Sequence, residues 1–333
     1  MALGEAMRRR QFITLVGSAA FAPMLSAALA QQPTKPVIGF LRLTSAKDSA
    51  QLLAAWHEGL KDAGYIEGQN VSVEYRWAEN HLDRLPSLAA ELVRRQVTVI
   101  LAGGNDAAHA AKAATRGVPI VFAIGEDPVK TGLVASFNRP GANLTGATFI
   151  TSATATKKLQ LLNELLPKGT TIAYLRNPKN AQTELELKEA QNAARSLGHQ
   201  ILVLEAGTDS EIDAAFATLV ERRAGGLMVA ADAFFFSRRT QLIVLAARHA
   251  VPTVYQWSEA VTGGGLMSYG PSFPGTYRQA GLYAGRILQG ANPAELPVLQ
   301  PTKFEFAINL RTAKTLGLAI PSGVLAIADE AIE

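Results

Sequence analysis

The strongest constraint on the fold is an alternation of strand and helix patterns that runs along the chain twice. In the first half, apolar runs such as VIGFLR and VTVILAG alternate with stretches of helical periodicity, for example Asp48–Ala63. The second half repeats this order from TIAYLRNP onward, and each half has a strand pattern that begins Val-Pro. Such alternation is typical of parallel sheets with helices on both faces. It predicts an α/β protein with two doubly wound, Rossmann-like lobes.

The lobe boundaries are predicted from the places where this alternation stops. It stops near Thr148–Ser152, near Ser268–Pro271 and near Pro297–Lys303, so we expect three crossings between the lobes, arranged as a three-strand hinge. A chain of 333 residues is also long for one core and suits two. We expect a first lobe of residues 36–149 plus 270–302, and a second lobe of residues 150–269 plus 303–333.

The first thirty residues have the features of an export signal. Arginines precede a modestly apolar run, and Ala28-Leu29-Ala30 forms an A-x-A cleavage site before Gln31. The run Arg9-Arg10-Gln11-Phe12-Ile13 resembles the twin-arginine motif, and Met7 is a better start for a signal peptide than Met1. We expect residues 1–30 to be a cleaved signal peptide and the mature protein to be periplasmic. The alternative is a basic tail without structure.

Composition excludes several classes of function. The chain has no Cys and only 5 His, with no H-x-x-x-H pair, so we expect no disulfide, metal site or thiol nucleophile. The net charge of +4 is concentrated at the N-terminus, and no Lys/Arg stripe with interleaved aromatics follows, so no nucleic-acid partner is expected. No motif indicates a cofactor.

A ligand site is expected where the strands end, because open parallel sheets bind ligands outside their carboxyl edges. The turn at Gly103-Gly104 leads from a strand into an Ala-rich helix, which favours an anion at free N–H groups. The turn lacks a phosphate fingerprint, so we expect a carboxylate there, with Asp232 facing an ammonium group. Asp106 conflicts with this scheme unless it points away or the ligand group at this turn is not an anion. The candidate ligand-binding residues are Thr44, Ser45, Gly103, Gly104, Asn105, Asp127, Asn177, Asp232, Phe234, Tyr255 and Tyr269.

Each candidate also has a purely structural interpretation. Gly103-Gly104 can be only a turn, Asp232 can be only a helix cap, and three consecutive phenylalanines cannot all face one cleft. No catalytic residue is assigned, because the chain has no G-x-S-x-G elbow and no His after a strand. A carboxylate pair formed by Asp127 and Asp232 is the one catalytic arrangement left open.

Several long stretches resemble a known family. They include the run D-P-V-x-x-G-L-V-x-S-x-x-x-P-G-x-N-x-T-G from Asp127 to Gly146, the segment GGLMSYGPSFPGTYRQAGLYAGRILQGANPAELPV and the terminal ADEAIE. The resemblance is to the ABC-transporter substrate-binding proteins of the tryptophan and tyrosine type, and it covers about Val37 to Glu333. It implies a type I periplasmic-binding-protein fold, a ligand in the interlobe cleft, and delivery to a membrane permease with a cytoplasmic ATPase.

The sequence therefore predicts a monomeric periplasmic solute-binding protein of an ABC importer. It would capture an amino acid, or an aromatic or carboxylate-bearing solute, by hinge closure and would perform no chemistry. Two alternatives remain: an exported small-molecule enzyme on two Rossmann-like lobes, and a sensory binding module. Many relatives have Pro or Ser where this chain has GGNDAA, so the identity of the ligand does not carry over from the resemblance.

Overall fold

A five-stranded sheet organises the first lobe. The computed structural model describes residues 35–150, 154–301 and 304–333, so the expected signal peptide lies outside it. The strands of this sheet are β1 (Val37–Arg42), β2 (Ser72–Trp77), β3 (Val99–Gly103), β4 (Ile120–Ile124) and β5 (Leu144–Thr148). They are all parallel, in the order β2-β1-β3-β4-β5. The central strands β3 and β4 are entirely buried, which explains their unbroken apolar runs.

A seven-stranded sheet organises the second lobe. Its strands are β6 (Thr171–Arg176), β7 (Gln200–Glu205), β8 (Gly226–Val229), β9 (Thr253–Tyr255), β10 (Met267–Pro271), β11 (Phe304–Asn309) and β12 (Glu330–Ile332). Their order is β12-β11-β10-β9-β8-β6-β7, and β10 and β11 form its antiparallel pair. The other neighbours are parallel, so the carboxyl ends of β6, β8 and β9 meet at one edge.

Helices cover the two sheets. The helices before the first crossing are α1 (Ala50–Asp62), α2 (Leu85–Arg94) and α3 (Asn105–Ala114). Those that follow are α4 (Ala155–Asn163), α5 (Gln182–Leu197), α6 (Asp209–Glu221), α7 (Ala233–Ser237), α8 (Arg239–Arg248), α9 (Ser258–Thr262), α10 (Phe273–Leu288), α11 (Leu310–Thr315) and α12 (Ser322–Ala326). Within the described ranges, none is long and apolar enough to span a bilayer.

Helix α10 follows a strand of the second sheet but packs on the first lobe, against α1. Two glycines allow this close approach. A Cβ atom at Gly59 would lie 1.8 Å from the carbonyl oxygen of Arg278, and one at Gly281 would lie 2.2 Å from that of Trp56. The helix also closes over the core formed by Phe40, Trp56 and the buried face of β3. The close contact fixes α10 to the first lobe.

The chain therefore passes between the lobes after β5, after β10 and before β11. The segment before β11 remains on the first lobe at Leu299, which bridges to Ala147 of β5. The first and third of these passages each contain residues outside the described ranges, 151–153 and 302–303. The two-lobed α/β architecture agrees with the fold class that the sequence predicts.

Some elements do not follow from the sequence pattern. Helices α7, α9 and α12 have five residues each, too few for a periodic signal. Helix α4 is longer, but Lys158 on its buried face interrupts the apolar spacing because it pairs with Glu186. Strand β12 has three residues and is defined by its pairing with β11.

Candidate ligand-binding cleft

A cleft lies between the lobes, where the carboxyl ends of strands from both sheets face each other. The volume of the cleft that is open to the centre of a water molecule is about 70 Å³. One water requires ~10–15 Å³ by the same measure, so the cleft has room for several. Its lining includes polar groups from both lobes and a set of aromatic rings. The residues that line it include Arg42, Gly103, Gly104, Asn105, Asp106, Phe149, Asn177, Lys179, Asn180, Gln182, Asp232, Phe234, Trp257, Phe273 and Tyr277.

Arg42 is the last residue of β1 and is buried at the floor of this cleft, with 2% of its surface exposed. Its Nε donates to the hydroxyls of Thr44 at 2.8 Å and Ser49 at 2.9 Å, and Nη1 donates to the hydroxyl of Tyr277. Burial lowers the pKa of Arg42 to about 10, against an opposing effect of Asp48, so the side chain remains a cation at pH 7. Within the described residues, no carboxylate forms an ion pair with it.

The turn at Gly103-Gly104 places the start of α3 beside this guanidinium. A Cβ atom at Gly103 would lie 2.7 Å from the Tyr277 hydroxyl and 3.3 Å from Nη1 of Arg42, so only glycine leaves room for both. Gly104 has φ 107°, a conformation that side chains disfavour. Asn105 uses its side-chain oxygen to accept the N–H of Gly125 at 2.9 Å. The first N–H groups of α3 have no acceptor within the helix, which suits an anion.

Asp232 faces the cleft from the second lobe and caps α7. Its Oδ1 accepts the N–H groups of Phe234 at 2.9 Å and Phe235 at 3.2 Å, so the structural interpretation of this residue holds. Its Oδ2 accepts from Asn180 at 2.8 Å, and Asn177 lies at 3.3 and 3.4 Å from the two oxygens. Burial raises the pKa of Asp232, and these hydrogen bonds oppose the rise. The carboxyl group thus has only neutral donors among its described partners.

Asp106, in the first turn of α3, also lines the cleft. Burial is the main cause that raises the pKa of Asp106, and the nearby carboxylates of Asp232 and Glu126 add to it, while His109 lowers it. Asp106 is nevertheless an exposed residue that contributes to the lining of the cleft. Asp106 of the first lobe and Asp232 of the second therefore line the same cleft.

Aromatic rings form the wall between these polar groups. Trp257 and Phe273 stack with ring centres 4.7 Å apart, and Phe149 contacts Phe273 edge-on at 5.1 Å. Phe273 in turn contacts Tyr277 at 5.5 Å. These rings come from segments at the first and second crossings and from the end of β9, so they form an apolar surface at the base of the cleft.

The three consecutive phenylalanines of α7 point in different directions, as the sequence argument expects. Phe234 lines the cleft, and Phe235 packs in the core of the second lobe. Phe236 packs on the aromatic wall of the cleft, where its ring lies edge-on to that of Trp257 with ring centres 5.4 Å apart. Successive side chains of a helix point about 100° apart, so three consecutive residues reach three different surfaces: the cleft, the core of the second lobe and the aromatic wall.

The structure brings six of the eleven candidates to the cleft and places five elsewhere. Thr44 is fully buried and accepts from Arg42, and Ser45 donates to Asp48 at 2.7 Å. Asp127 caps a turn by accepting the N–H of Val129 at 3.0 Å. The two tyrosines lie within the second lobe. The six at the cleft are Gly103, Gly104, Asn105, Asn177, Asp232 and Phe234; the five elsewhere are Thr44, Ser45, Asp127, Tyr255 and Tyr269.

The positions of Tyr255 and Tyr269 follow from strand geometry. Tyr255 is the last residue of β9 and packs in the core of the second lobe, with its ring behind the cleft wall. Tyr269 stacks on Phe304, with ring centres 5.9 Å apart, beside the antiparallel pair β10–β11. Because Asp127 does not line the cleft, the structure does not place it with Asp232 as a cleft carboxylate pair.

Sequence reasoning missed Arg42, because it considered only residues that follow each strand, and Arg42 is the last residue within β1. A charged residue at the end of the otherwise apolar run VIGFLR is the signal that could have found it. It also missed Glu126, which is buried beside the candidate Asp127 and accepts from Gln182, across the cleft, at 3.5 Å. Tyr277 lies in α10, within the segment 270–302 that the sequence assigns to the first lobe, but no motif singles out this tyrosine.

Two α/β lobes that hold a polar and aromatic cleft between strand ends define a two-domain binding protein for a small molecule. No group of three or more acidic, His or Cys side chains suited to a metal occurs in the part of the chain that the structure describes. The sequence matches the family described as "ABC transporter substrate binding protein" over residues 46–332. The chain belongs to this family, and it is a solute-binding protein with a type I periplasmic-binding-protein-like fold.

Individual relatives agree with this assignment. The chain is 27% identical over 261 residues to a "Tyrosine-binding protein" of Clostridioides difficile, a match that covers 78% of this chain and 75% of the relative. A conserved domain protein from Vibrio cholerae aligns with TM-score 0.82 and 25% identity, over 89% of this chain and 99% of that one. A Streptococcus pneumonia ABC domain in complex with L-Trp aligns with TM-score 0.81 and 23% identity, over 90% of this chain and 100% of the other.

Proposed function

We propose that the protein captures an amino acid, or a similar carboxylate-bearing solute with an apolar side chain, between its two lobes. The observation that carries this proposal is Arg42, a cation buried at the cleft floor whose described partners, hydroxyl groups and two aromatic rings, are all neutral. A buried charge without a counter-charge is costly, and a ligand carboxylate would compensate it. The guanidinium and the N–H groups at the start of α3 together suit a carboxylate. The remaining candidates at the cleft, with Asp232 foremost, would contact the rest of the ligand.

The apolar part of the ligand would pack on the aromatic wall. Trp257, Phe273 and Phe149 offer ring faces and edges, and Phe234 faces them from the second lobe. The names of two relatives support a ligand with an apolar, aromatic side chain. One relative is a tyrosine-binding protein, and the other was crystallised with L-Trp. Both proteins are more than two thirds different in sequence, so we propose the class of ligand and not its identity.

Capture would work by hinge closure. The ligand would contact residues of both lobes only in the closed form, so that binding shifts the open–closed equilibrium. The hydrogen bond between Gln182 of α5 and Glu126 of the first lobe is a contact of the same kind, made directly across the cleft. The lobes of this motion would be residues 36–149 plus 270–302 and residues 150–269 plus 303–333.

The closed, loaded protein would then deliver its ligand to a membrane permease that has a cytoplasmic ATPase. This role requires export, and the proposed signal peptide of residues 1–30 supplies it, with a mature N-terminus near Gln31. We propose a monomer that acts in the periplasm and leaves its ligand chemically unchanged. Mass spectrometry of the exported protein tests the processing, and residues 1–30 retained on cytoplasmic protein would refute it.

A thermal-shift screen against L-amino acids and aromatic carboxylates tests the ligand class. A ligand present at a hundredfold excess over its Kd adds roughly 2.7 kcal/mol to the free energy of unfolding. We expect stabilisation by a subset of amino acids with apolar or aromatic side chains. Stabilisation confined to sugars or other uncharged solutes would overturn the proposal, because such ligands leave Arg42 without a counter-charge.

A further inference from the structure

The segment that follows β8 carries the chain from the second sheet to the wall of the cleft. The N–H of Ala230 still donates to a strand, to the carbonyl oxygen of Leu175 in β6 at 3.0 Å. The next N–H, that of Ala231, is buried and donates at 3.0 Å to Oε2 of Glu186, a side chain of α5. A buried N–H without an acceptor is costly, so this contact replaces the strand partner. A side chain thus holds the main chain directly before Asp232.

The other carboxylate oxygen of Glu186 pairs with Lys158. Both side chains are buried, Glu186 with 1% and Lys158 with none of its surface exposed, and Oε1 of the glutamate accepts from Nζ of the lysine. The pair joins α4 to α5. An ion pair that only joined two helices would need no further contact. Here the second oxygen is bonded to the main chain beside a cleft residue.

The start of α5 is attached to the same cleft residue by a second route. The Thr183 hydroxyl makes a shared hydrogen bond, in which it donates to the carbonyl oxygens of Asn180 at 2.7 Å and Asn177 at 3.1 Å. The side-chain amides of Asn177 and Asn180 in turn donate to the carboxylate of Asp232. Thr183 and Glu186 are three positions apart, so they lie on one face of the helix. Helix α5 therefore holds Asp232 through both its side chain and the preceding main chain.

We propose that Glu186 is a positioning residue of the cleft, which fixes the Asp232 carboxylate in place before a ligand arrives. This inference rests on the proposed function, in which Asp232 contacts the ligand. Glu186 itself does not line the cleft. It acts through the N–H of Ala231, and Lys158 provides the counter-charge that allows the glutamate to be buried.

A carboxylate that is held in advance improves binding, because ordering a side chain or a loop on binding lowers the affinity. The state of Asp232 can be followed at two other groups, since its Oδ1 accepts the N–H groups of Phe234 and Phe235. Neither of these N–H groups donates to Glu186. Release of Ala231 would free the chain before Asp232 and loosen this cap, so a change at Phe234 and Phe235 reports on position and not on the lost contact itself.

Two double variants isolate the contact with Ala231. Lys158→Met/Glu186→Gln and Lys158→Met/Glu186→Met both remove the ion pair and nearly conserve the buried volume, but only the first keeps an acceptor. Glu186→Asp keeps the charge for Lys158 and shortens the side chain by one methylene, so it withdraws the acceptor even if the variant with two methionines does not fold. Leu219→Ala, in the core of the second lobe, is the control for a loss of stability alone.

The first arm of the test needs no ligand. Amide hydrogen exchange of the ligand-free full chain, followed by NMR, measures the protection of the Phe234 and Phe235 N–H groups. We expect the two variants without an acceptor to lose roughly tenfold or more of the protection that Lys158→Met/Glu186→Gln retains. Leu219→Ala should leave this local protection unchanged. Equal protection in all variants would overturn the inference.

The second arm measures affinity by isothermal titration calorimetry with L-phenylalanine, L-tyrosine and L-tryptophan. For the amino acid that binds best, we expect Lys158→Met/Glu186→Gln and Leu219→Ala to stay within about threefold of the unmodified protein. The variants without an acceptor should bind roughly tenfold more weakly. Changed protection with unchanged affinity would also overturn the inference. If none of the three amino acids binds the unmodified protein, the ligand class under the proposed function is wrong, and the exchange arm alone decides whether Glu186 positions Asp232.

Discussion

The two lobes each bury a cationic side chain, but they compensate it in different ways. In the second lobe, Lys158 of α4 is fully buried and forms an ion pair with Glu186 of α5. Glu186 also accepts the N–H of Ala231, beside the cleft, at 3.0 Å. In the first lobe, Arg42 lies at the cleft floor, and its described partners are three hydroxyl groups and the rings of Phe273 and Tyr277.

The difference indicates which buried charge belongs to the fold and which belongs to the ligand. A buried ion pair that is complete within the protein is a structural element, and breaking it leaves an uncompensated charge. A buried cation with only neutral partners is incomplete, and its counter-charge must come from outside the chain. In the second lobe, the complete Lys158–Glu186 ion pair thus holds the Ala231–Asp232 segment. In the first lobe, the charge of Arg42 has no counter-charge within the described part of the chain.

The largest expected effect is on stability and concerns the second lobe. Lys158→Met leaves Glu186 buried without a counter-charge, so we expect a loss of about 3–5 kcal/mol in the free energy of unfolding. Urea denaturation measures this loss. The double variant Lys158→Met/Glu186→Gln removes both charges but keeps an acceptor for Ala231, and it should recover much of the stability. A single variant as stable as the unmodified protein would show that the pair is not structural.

The matching change in the first lobe should affect binding and not stability. Arg42→Gln removes a buried charge that has no counter-charge in the free protein, so we expect the free energy of unfolding to change by no more than about 1 kcal/mol. The affinity for the best ligand should fall by about 2–5 kcal/mol, measured by calorimetry, because the carboxylate loses its partner. Arg76→Gln, on β2, removes an arginine that pairs with Glu74 and Glu91 outside the cleft and should leave the affinity unchanged.

A smaller effect is expected from the hydroxyl that orients Arg42. Tyr277→Phe keeps the ring that packs on Phe273 and removes the acceptor of Nη1. We expect the affinity to fall by about 1.5 kcal/mol, roughly tenfold, since a hydrogen bond to a charged group is lost. The melting temperature in the absence of ligand should change little. A large loss of stability with unchanged affinity would assign Tyr277 to the core alone.

The smallest effect concerns His109, a half-exposed imidazole that pairs with the buried carboxylate of Glu126. The Glu126 carboxylate raises the pKa of His109 above its usual value of about 6.5, against the opposing effect of burial. A raised folded-state pKa means that the pair stabilises the protein fully below pH 6.5 and loses this contribution as the pH rises through the folded pKa. The His109 side chain is 44% exposed, so we expect less than about 1 kcal/mol. Denaturation of His109→Gln between pH 5 and 9 tests this, and a difference that grows with pH would contradict it.

The sequence predicts the fold well because the alternation of apolar runs and helical spacings is local and repeats in both lobes. It also points to the Gly103-Gly104 turn and to Asp232, since each stands directly after a strand. It misses the role of Arg42 in the cleft, because the groups that surround the buried guanidinium are distant in sequence. The most distant of these is Tyr277, which lies 235 positions away. It also predicts cleft positions for Tyr255 and Tyr269, because the pattern identifies strand ends but not which face of the strand meets the other lobe.

The central claim is that the ligand supplies the missing counter-charge of Arg42. A crystal structure of the protein with the amino acid that stabilises it most would test this directly, through the distance between the ligand carboxylate and the guanidinium. The account predicts hydrogen bonds of about 2.7–2.9 Å from Arg42 to that carboxylate. A carboxylate bound elsewhere, with Arg42 still contacted only by neutral groups, would contradict it.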